Sequence, residues 1–187
     1  DLYDGLVVLH GCDTMFYSAS ALSFMYENLS KPVIFTGSQL PIGDLRTDAK
    51  ENLITSIQIA GLQKKGKPVI TEVGVYFEYK LYRGNRTSKI NAEHFQAFAS
   101  PNYPPLVNSG VHLAVNDAFL WQPNHRRKMK LHKGLNDEIA LIKIFPGINR
   151  SLLEHILAKE GLKGVILETY GSGNAPTQDW FVQLLKK

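Results

Sequence analysis

The chain has 187 residues, 44% hydrophobic and 20% charged, with 15 Gly and 9 Pro; this excludes a disordered, collagen-like or fibrous protein and suffices for one large domain or one plus part of a second. No apolar run approaches the roughly 18 to 20 residues that cross a bilayer, and the single cysteine, Cys12, excludes an internal disulfide or a multi-cysteine metal site. The net charge of +4 has a local source, since five of the 21 basic residues lie between Arg126 and Lys133; without aromatic stacking platforms around them, that tract reads as a solvated linker ahead of a nucleic-acid surface.

Residues 1–4 run into an apolar strand pattern with neither an initiator Met nor a signal sequence, which reads as a chain entered partway through a fold. Gly5–Leu9 is continuous, β-branched and apolar, the pattern of a strand buried on both faces. Thr14 is placed to cap a helix carrying Met15, Ala19, Leu22, Phe24, Met25 and Leu29, stopped at Pro32. Pro32–Thr36 is a second buried strand. This βαβ order puts the loops His10–Thr14 and Gly37–Pro41 at the carboxyl edge of a parallel sheet, where ligands bind.

A second helix is predicted over Asp48–Leu62, with Leu53, Ile54, Ile57, Ile59 and Ala60 as its apolar stripe. Glu72–Tyr79 alternates like a half-buried strand. Leu81–Ser100 is irregular, with a short helix at Ala92–Phe98, and Ser100–Lys133 is a sheet edge followed by a linker. Ile139–Phe145 and Gly164–Leu167 read as strands, Ser151–Lys159 as a capped helix, and Gln178–Leu185 as a last helix. The expected class is α/β: a mostly parallel, Rossmann-like sheet with flanking helices, incomplete, plus the start of a second, smaller α/β domain. Boundaries fall at 1–118 for the first domain, 119–136 for the linker and 137–187 for the second.

Three segments have the chemistry of a site. The strand-to-helix turn holding Cys12 and Asp13 has the free N–H groups and partial positive charge that favour an anion or a nucleophile; equally, Asp13 or Thr14 caps the helix while Cys12 packs as a small apolar residue. His10 is too close in sequence to Cys12 for a protease dyad and reads as a packed or hydrogen-bonding residue. Arg83–Lys89 groups three cations and two hydroxyls around Gly84, either a solvated loop or a site in which Lys89 accepts a proton or stabilises charge. Tyr170–Pro176 has two of the three glycines of a dinucleotide loop, and a tight turn presenting Asn174 is more economical. The six histidines show no metal-ligand spacing.

Taken together, His-Gly-Cys-Asp-Thr-Met at 10–15, Thr-Gly-Ser-Gln-Leu-Pro at 36–41, Leu-Tyr-Arg-Gly-Asn-Arg-Thr-Ser-Lys at 81–89, Ala-Phe-Ala-Ser-Pro-Asn at 97–102 and Tyr-Gly-Ser-Gly-Asn-Ala-Pro at 170–176 resemble the bacterial L-asparaginases, and the type I, cytoplasmic branch in particular. The resemblance covers the whole chain and implies hydrolysis of L-asparagine to L-aspartate and ammonia without metal or organic cofactor. It implies homotetramers built from intimate dimers, with no nucleic-acid or membrane partner. Carried over, Asp13 binds the substrate's α-ammonium, Lys89 is the lysine of the second catalytic triad, Ser38 lines the pocket near the scissile amide, and Asn174 is lent to a neighbouring subunit's site. Cys12 stands where the family has the catalytic threonine of this turn.

On the same resemblance, the family's nucleophile loop would precede Asp1 and most of the C-terminal domain would follow Lys187, so the chain is expected to be an interior fragment that does not hydrolyse asparagine alone. Some type I members are regulated by asparagine near the Tyr-Gly-x-Gly-Asn turn with help from an arginine; here Glu168 takes that position, and regulation is expected to be weakened or lost. The alternatives are the amidase subunit of a transfer-RNA amidotransferase and a non-catalytic asparagine-binding homologue.

Overall fold

The parallel strands form because two runs of alternating-face apolar residues, Val33–Thr36 and Val73–Phe77, each have something to bury on both sides. In the computed structural model, which describes residues 2–186, the chain divides into two units, Asp1–Lys133 and Gly134–Lys187. The first unit contains, in chain order, β1 (Leu6–Leu9), α1 (Met15–Met25), β2 (Tyr26–Glu27), β3 (Val33–Thr36), α2 (Ala49–Ala60) and the hairpin of β4 (Gln63–Lys64) and β5 (Lys67–Pro68). It continues with β6 (Val73–Phe77), β7 (Lys80–Arg83), β8 (Ser88–Lys89), β9 (Phe98–Ala99), β10 (Val107–Ser109), β11 (Leu113–Val115) and β12 (Lys130–Leu131).

The main sheet has the order β1-β3-β6-β7-β10-β11, with β1, β3 and β6 parallel and the rest added antiparallel. Side-chain parity then sorts the core. Val33, Phe35, Val73, Val75 and Phe77 pack toward Met15 and Ala19 of α1, while Ile34 and Tyr76 pack toward Ile59 of α2 and Leu81, Leu106 and Val107. The expected α/β class with flanking helices is the one observed.

Several details depart from the sequence pattern, each for an identifiable reason. β1 is not buried on both faces: it pairs only with β3, at the end of the sheet, and Leu6 and Leu9 are exposed. α1 stops at Met25, not near Leu29, because Tyr26 and Glu27 leave the helix to pair with Leu131 and Lys130, and Thr14 makes no side-chain capping bond. α2 buries Asn52, Thr55, Ser56 and Ile59 while Ile54 and Ile57 face out, so its inward stripe is largely polar. β6 is buried along its whole length because strands flank it on both edges and helices cover both faces; the polar end of Tyr76 is accommodated by donating to Glu51 at 2.6 Å. Residues 92–98 form no helix, and Phe98 instead pairs with Lys89 in a short antiparallel ladder.

Residues 119–133, expected as linker, lie along the first unit as a strap. Trp121 N–H donates to Glu72 (2.7 Å), Thr71 donates to the Trp121 carbonyl (2.7 Å), Asn124 exchanges bonds with Asn28, and β12 pairs with β2. The basic residues are exposed, but Arg127 and His132 both reach Glu27, at 2.8 and 2.9 Å.

The second unit contains β13 (Ile139–Lys143), α3 (Arg150–Leu157), β14 (Gly164–Glu168) and α4 (Asp179–Leu185). β13 and β14 are parallel in register Leu141↔Ile166, and Ile142, Ile144, Leu153 and Phe181 form its core. Asn149 caps α3 by accepting from Leu152 N–H at 3.2 Å, supplying a partner to one of the first-turn donors.

Candidate active site

The site is assembled from three segments at the carboxyl ends of β1 and β3. His10 N–H still bonds the Thr36 carbonyl (2.9 Å), continuing the β1–β3 pairing one step before the chain turns into α1. The His10 ring bridges Ser18 Oγ (2.9 Å) and the Gly11 carbonyl (2.8 Å) and packs beside Phe35, so it braces the turn as a hydrogen-bonding histidine. Cys12 and Asp13 follow at the mouth of the sheet.

The second segment, residues 37–40, approaches this turn so closely that only glycine fits at 37: a Cβ there would collide with the His10 carbonyl and come within 2.9 Å of Met15 Cε. The first turn of α2 holds it in place. Asp48 accepts from Gln39 N–H (3.0 Å) and Leu40 N–H (3.2 Å), and Asn52 donates both to Asp48 (3.0 Å) and to the Gly37 carbonyl (2.9 Å). This use of α2 explains its polar inner face. Ser38 lies in the tethered loop, half-buried.

The third segment is the ladder of β8 on β9, which fixes Lys89 opposite Phe98, itself edge-on to Phe77 at 5.0 Å. From there Lys89 Nζ donates to Asp13 and lies 3.4 Å from Cys12 Sγ. The thiol donates in turn to Gln39 Oε1 at 3.3 Å, and Gln39 Nε2 donates to the carbonyls of His94 (2.9 Å) and Ala92 (3.2 Å). Cys12, Asp13 and Lys89, separated by 76 positions or more in the chain between acid and base, thus meet in one place.

The electrostatics are asymmetric. The Lys89 side chain is only 14% exposed whereas Asp13 is 89% exposed, so the cation is sheltered and the carboxylate faces water, open to a second partner. The hydrogen bond that Lys89 donates to Asp13 holds its ammonium pKa above the ordinary value, against the opposing effect of burial, with a further contribution from Cys12. Lys89 is therefore charged at neutral pH. The arrangement can bind a cation at Asp13 while holding a proton donor beside a thiol.

Gln39 was not singled out by residue type, yet it is the only side chain described here that ties Cys12 to the loop at 92–94. Its signal was its position beside Ser38 in a sheet-edge loop. Asn174 lies in the second unit, exposed, in a turn closed by its own backbone: Tyr170 N–H to the Asn174 carbonyl at 2.9 Å and Gly173 N–H to the Tyr170 carbonyl at 2.8 Å. Among the described residues no group of three or more His, Cys, Asp or Glu gathers to hold a metal ion, and no helix is long and apolar enough to cross a membrane.

An α/β unit with an acid, a lysine and a polar loop at the carboxyl edge of its parallel strands has the layout of a small-molecule binding site. Residues 1–120 match the family model described as asparaginase, N-terminal, and residues 138–187 match the glutaminase/asparaginase C-terminal domain; the chain belongs to the asparaginase family. It is 44% identical over 188 residues to L-asparaginase 1 of Escherichia coli (strain K12), covering 100% of this chain and 53% of that protein. It is 43% identical over 184 residues to a 60 kDa lysophospholipase of Mus musculus, covering 98% of this chain and 32% of that one. Among solved structures, L-asparaginase I from Vibrio cholerae superposes with a TM-score of 0.87 at 40% identity, covering 98% of this chain and 54% of that chain. The chain thus spans about a third to a half of the length of these relatives.

Proposed function

We propose that the protein carrying this chain hydrolyses the side-chain amide of L-asparagine to L-aspartate and ammonia. Asp13 receives the substrate's α-ammonium, Ser38 lines the pocket near the amide, and Cys12 and Lys89 act at the reacting group. The observation that supports this is the meeting of Lys89 with both Cys12 and Asp13.

That meeting suggests how binding and chemistry are coupled. Asp13 has one exposed carboxylate for two cations, so an arriving α-ammonium competes with Lys89 for it. Weakening the Asp13 bond removes the first cause of the raised Lys89 pKa and releases the ammonium toward Cys12. Hydrolysis breaks the amide C–N bond, places a water-derived hydroxyl on carbon and releases nitrogen as ammonia, which requires a proton delivered to nitrogen. Lys89 is placed to supply it and then to be recharged by the thiol or water.

We read the intact protein as a cytoplasmic homotetramer of intimate dimers in which Asn174 is lent to a neighbouring subunit. Glu168, paired with Lys143 at 2.8 Å, would repel a carboxylate effector, so saturation by asparagine is expected to be hyperbolic. Ammonia release by the full-length protein tests the reading: turnover is expected in the native protein and its Cys12→Thr variant, and loss in Lys89→Met. Asparagine binding with no ammonia from native or Cys12→Thr protein would leave a binding protein in its place.

A further inference from the structure

β3 and β6 are parallel neighbours, so the loop that follows one and the turn that follows the other leave the sheet at the same edge. That turn is a two-residue hairpin between Phe77 and Lys80, and both of its residues are left-handed, Glu78 at φ 44° and Tyr79 at φ 66°. Asn-Gly or Asp-Gly is the relaxed solution for such a turn, so a glutamate and a tyrosine there hold backbone strain. Strain of this kind persists only where the surroundings over-determine it, and it clusters at functional sites.

Two hydrogen bonds hold the turn. Ser109 N–H donates to the Tyr79 carbonyl (2.7 Å), and Glu78 N–H donates to Asn52 Oδ1 (3.2 Å). Asn52 is 1% exposed and its carboxamide is occupied on three sides: besides accepting from Glu78, Nδ2 donates to the Gly37 carbonyl (2.9 Å) and to Asp48 (3.0 Å). Of the short side chains only that of asparagine can donate twice and accept at once.

The two ends of this network close on one residue. The Gly37 carbonyl belongs to the peptide before Ser38, and Gln39 N–H, which donates to Asp48, belongs to the peptide after it. With both peptide planes held, Ser38 has no free φ or ψ, and the direction of its side chain is set. Asn52 holds the first plane directly and the second by orienting Asp48. Gln39, next in the loop, accepts the Cys12 thiol.

We infer that Asn52 is a positioning residue of the site: anchored on the Glu78–Tyr79 turn, it aims Ser38 and Gln39 at the reacting end of the substrate. Its effect on turnover rests on the asparaginase reading; its effect on the Cys12 thiol does not. Asp13 lies on a different segment, the turn after β1, and keeps its contact with the substrate, so the loss falls on kcat and spares KM.

The test compares the full-length native protein with Asn52→Asp, which keeps the size and the acceptor for Glu78 but turns an oxygen toward Gly37 and Asp48. Its kcat for asparagine is expected to fall by about tenfold or more, as misplacement of reacting groups gives, with KM within about threefold of native. Iodoacetamide should alkylate Cys12, followed by peptide mass, about threefold faster or more once Gln39 no longer holds the sulfur. Asn149→Ala, which removes the α3 cap in the second unit, is the control for lost stability alone and should leave that rate as it was. If Asn52→Asp does not fold, it is repeated with Glu78→Asn and Tyr79→Gly, an Asn-Gly turn that relieves the strain and adds stability. Native kcat and alkylation rate in Asn52→Asp overturn the inference, as does a raised KM at unchanged kcat, equal quickening in Asn149→Ala, or failure to fold even with the relaxed turn, which makes Asn52 a folding residue only. Faster alkylation in Asn52→Asp, with no ammonia from the native protein, would uphold the positioning and remove the asparaginase reading.

Discussion

Two turns in this chain look alike in sequence and differ in what surrounds them. His10–Thr14 and Tyr170–Asn174 each follow a parallel strand and carry glycine and a polar residue. The first is crossed by side chains from three other segments: Lys89 on Asp13 and Cys12, Gln39 on Cys12, Ser18 on His10. The second is closed by two bonds of its own backbone and leaves Asn174 exposed. A glycine-bearing strand-end turn is a local object; it becomes a site when distant chain delivers charge to it.

Removing the delivered charge should break the contrast most strongly. Lys89→Met is expected to lower kcat/KM for asparagine in the full-length protein by about 10²- to 10⁴-fold, the range for loss of a positioned proton-transfer group. An ammonia assay showing less than a few-fold loss would return the first turn to the same inert status as the second.

Cys12→Thr acts on the same turn in the other direction. A threonine hydroxyl is a stronger hydrogen-bond partner than a thiol for Lys89 and Gln39, and kcat is expected to rise by about tenfold. An unchanged kcat would mean that Cys12 has no part in the reaction.

Asp48→Ala tests the support behind the first turn. It strips the acceptor from two loop N–H groups and from Asn52, and should cost about 1 to 3 kcal/mol of stability by urea unfolding. Asn174→Ala, on the turn without such ties, is expected to change stability by no more than about 0.5 kcal/mol. A loss of activity in that variant, at unchanged stability, would favour the role in a neighbouring subunit's site.

The smallest effect concerns pH. The His132 hydrogen bond, and then Arg127, hold the Glu27 pKa below its ordinary 4.5. The strap therefore gains from Glu27 above that value and loses the contribution as pH falls through the lowered pKa. Hydrogen-exchange protection, taken relative to the intrinsic rate at each pH, should fall at residues 124–132 in acid while that of the Tyr170–Asn174 turn, which has no such pair, stays as it was. For Lys89, whose pKa is raised, the sign reverses: its contribution through Asp13 holds as pH rises from neutral to 10.5 and is lost as pH climbs on through the raised pKa.

Strands and turns were legible because their cues are local. The βαβ opening, a capped helix near Ser151–Lys159, the strands β13 and β14, and the loops at 10–14 and 37–41 follow from apolar runs bounded by Gly, Pro and capping residues. The burial of β6 was not, because alternation with Gly74 and Tyr76 looks half-exposed until α2 brings Glu51 to the tyrosine hydroxyl. The polar inner face of α2 was hidden for the same reason: Asn52 faces inward to bond Asp48 and the Gly37 carbonyl, partners that periodicity cannot see.

Composition and order of residues by themselves determined the class of fold, the family likeness and the list of side chains able to do chemistry, since these depend on residue type and short-range spacing. The family likeness assigned Cys12, Asp13 and Lys89 to one site, and tertiary structure decided how they and their supports meet. Lys89 reaches Cys12 and Asp13 because pairing with Phe98 aims it across the sheet edge, Gln39 joins them because Gly37 lets its loop close on His10, and residues 119–133 become a strap because Glu27 and Glu72 need cations and amides that only a returning chain supplies. Electrostatic attraction and hydrogen bonding act over a few ångströms of space, and a chain order that puts 76 positions between two such groups carries no record of that distance.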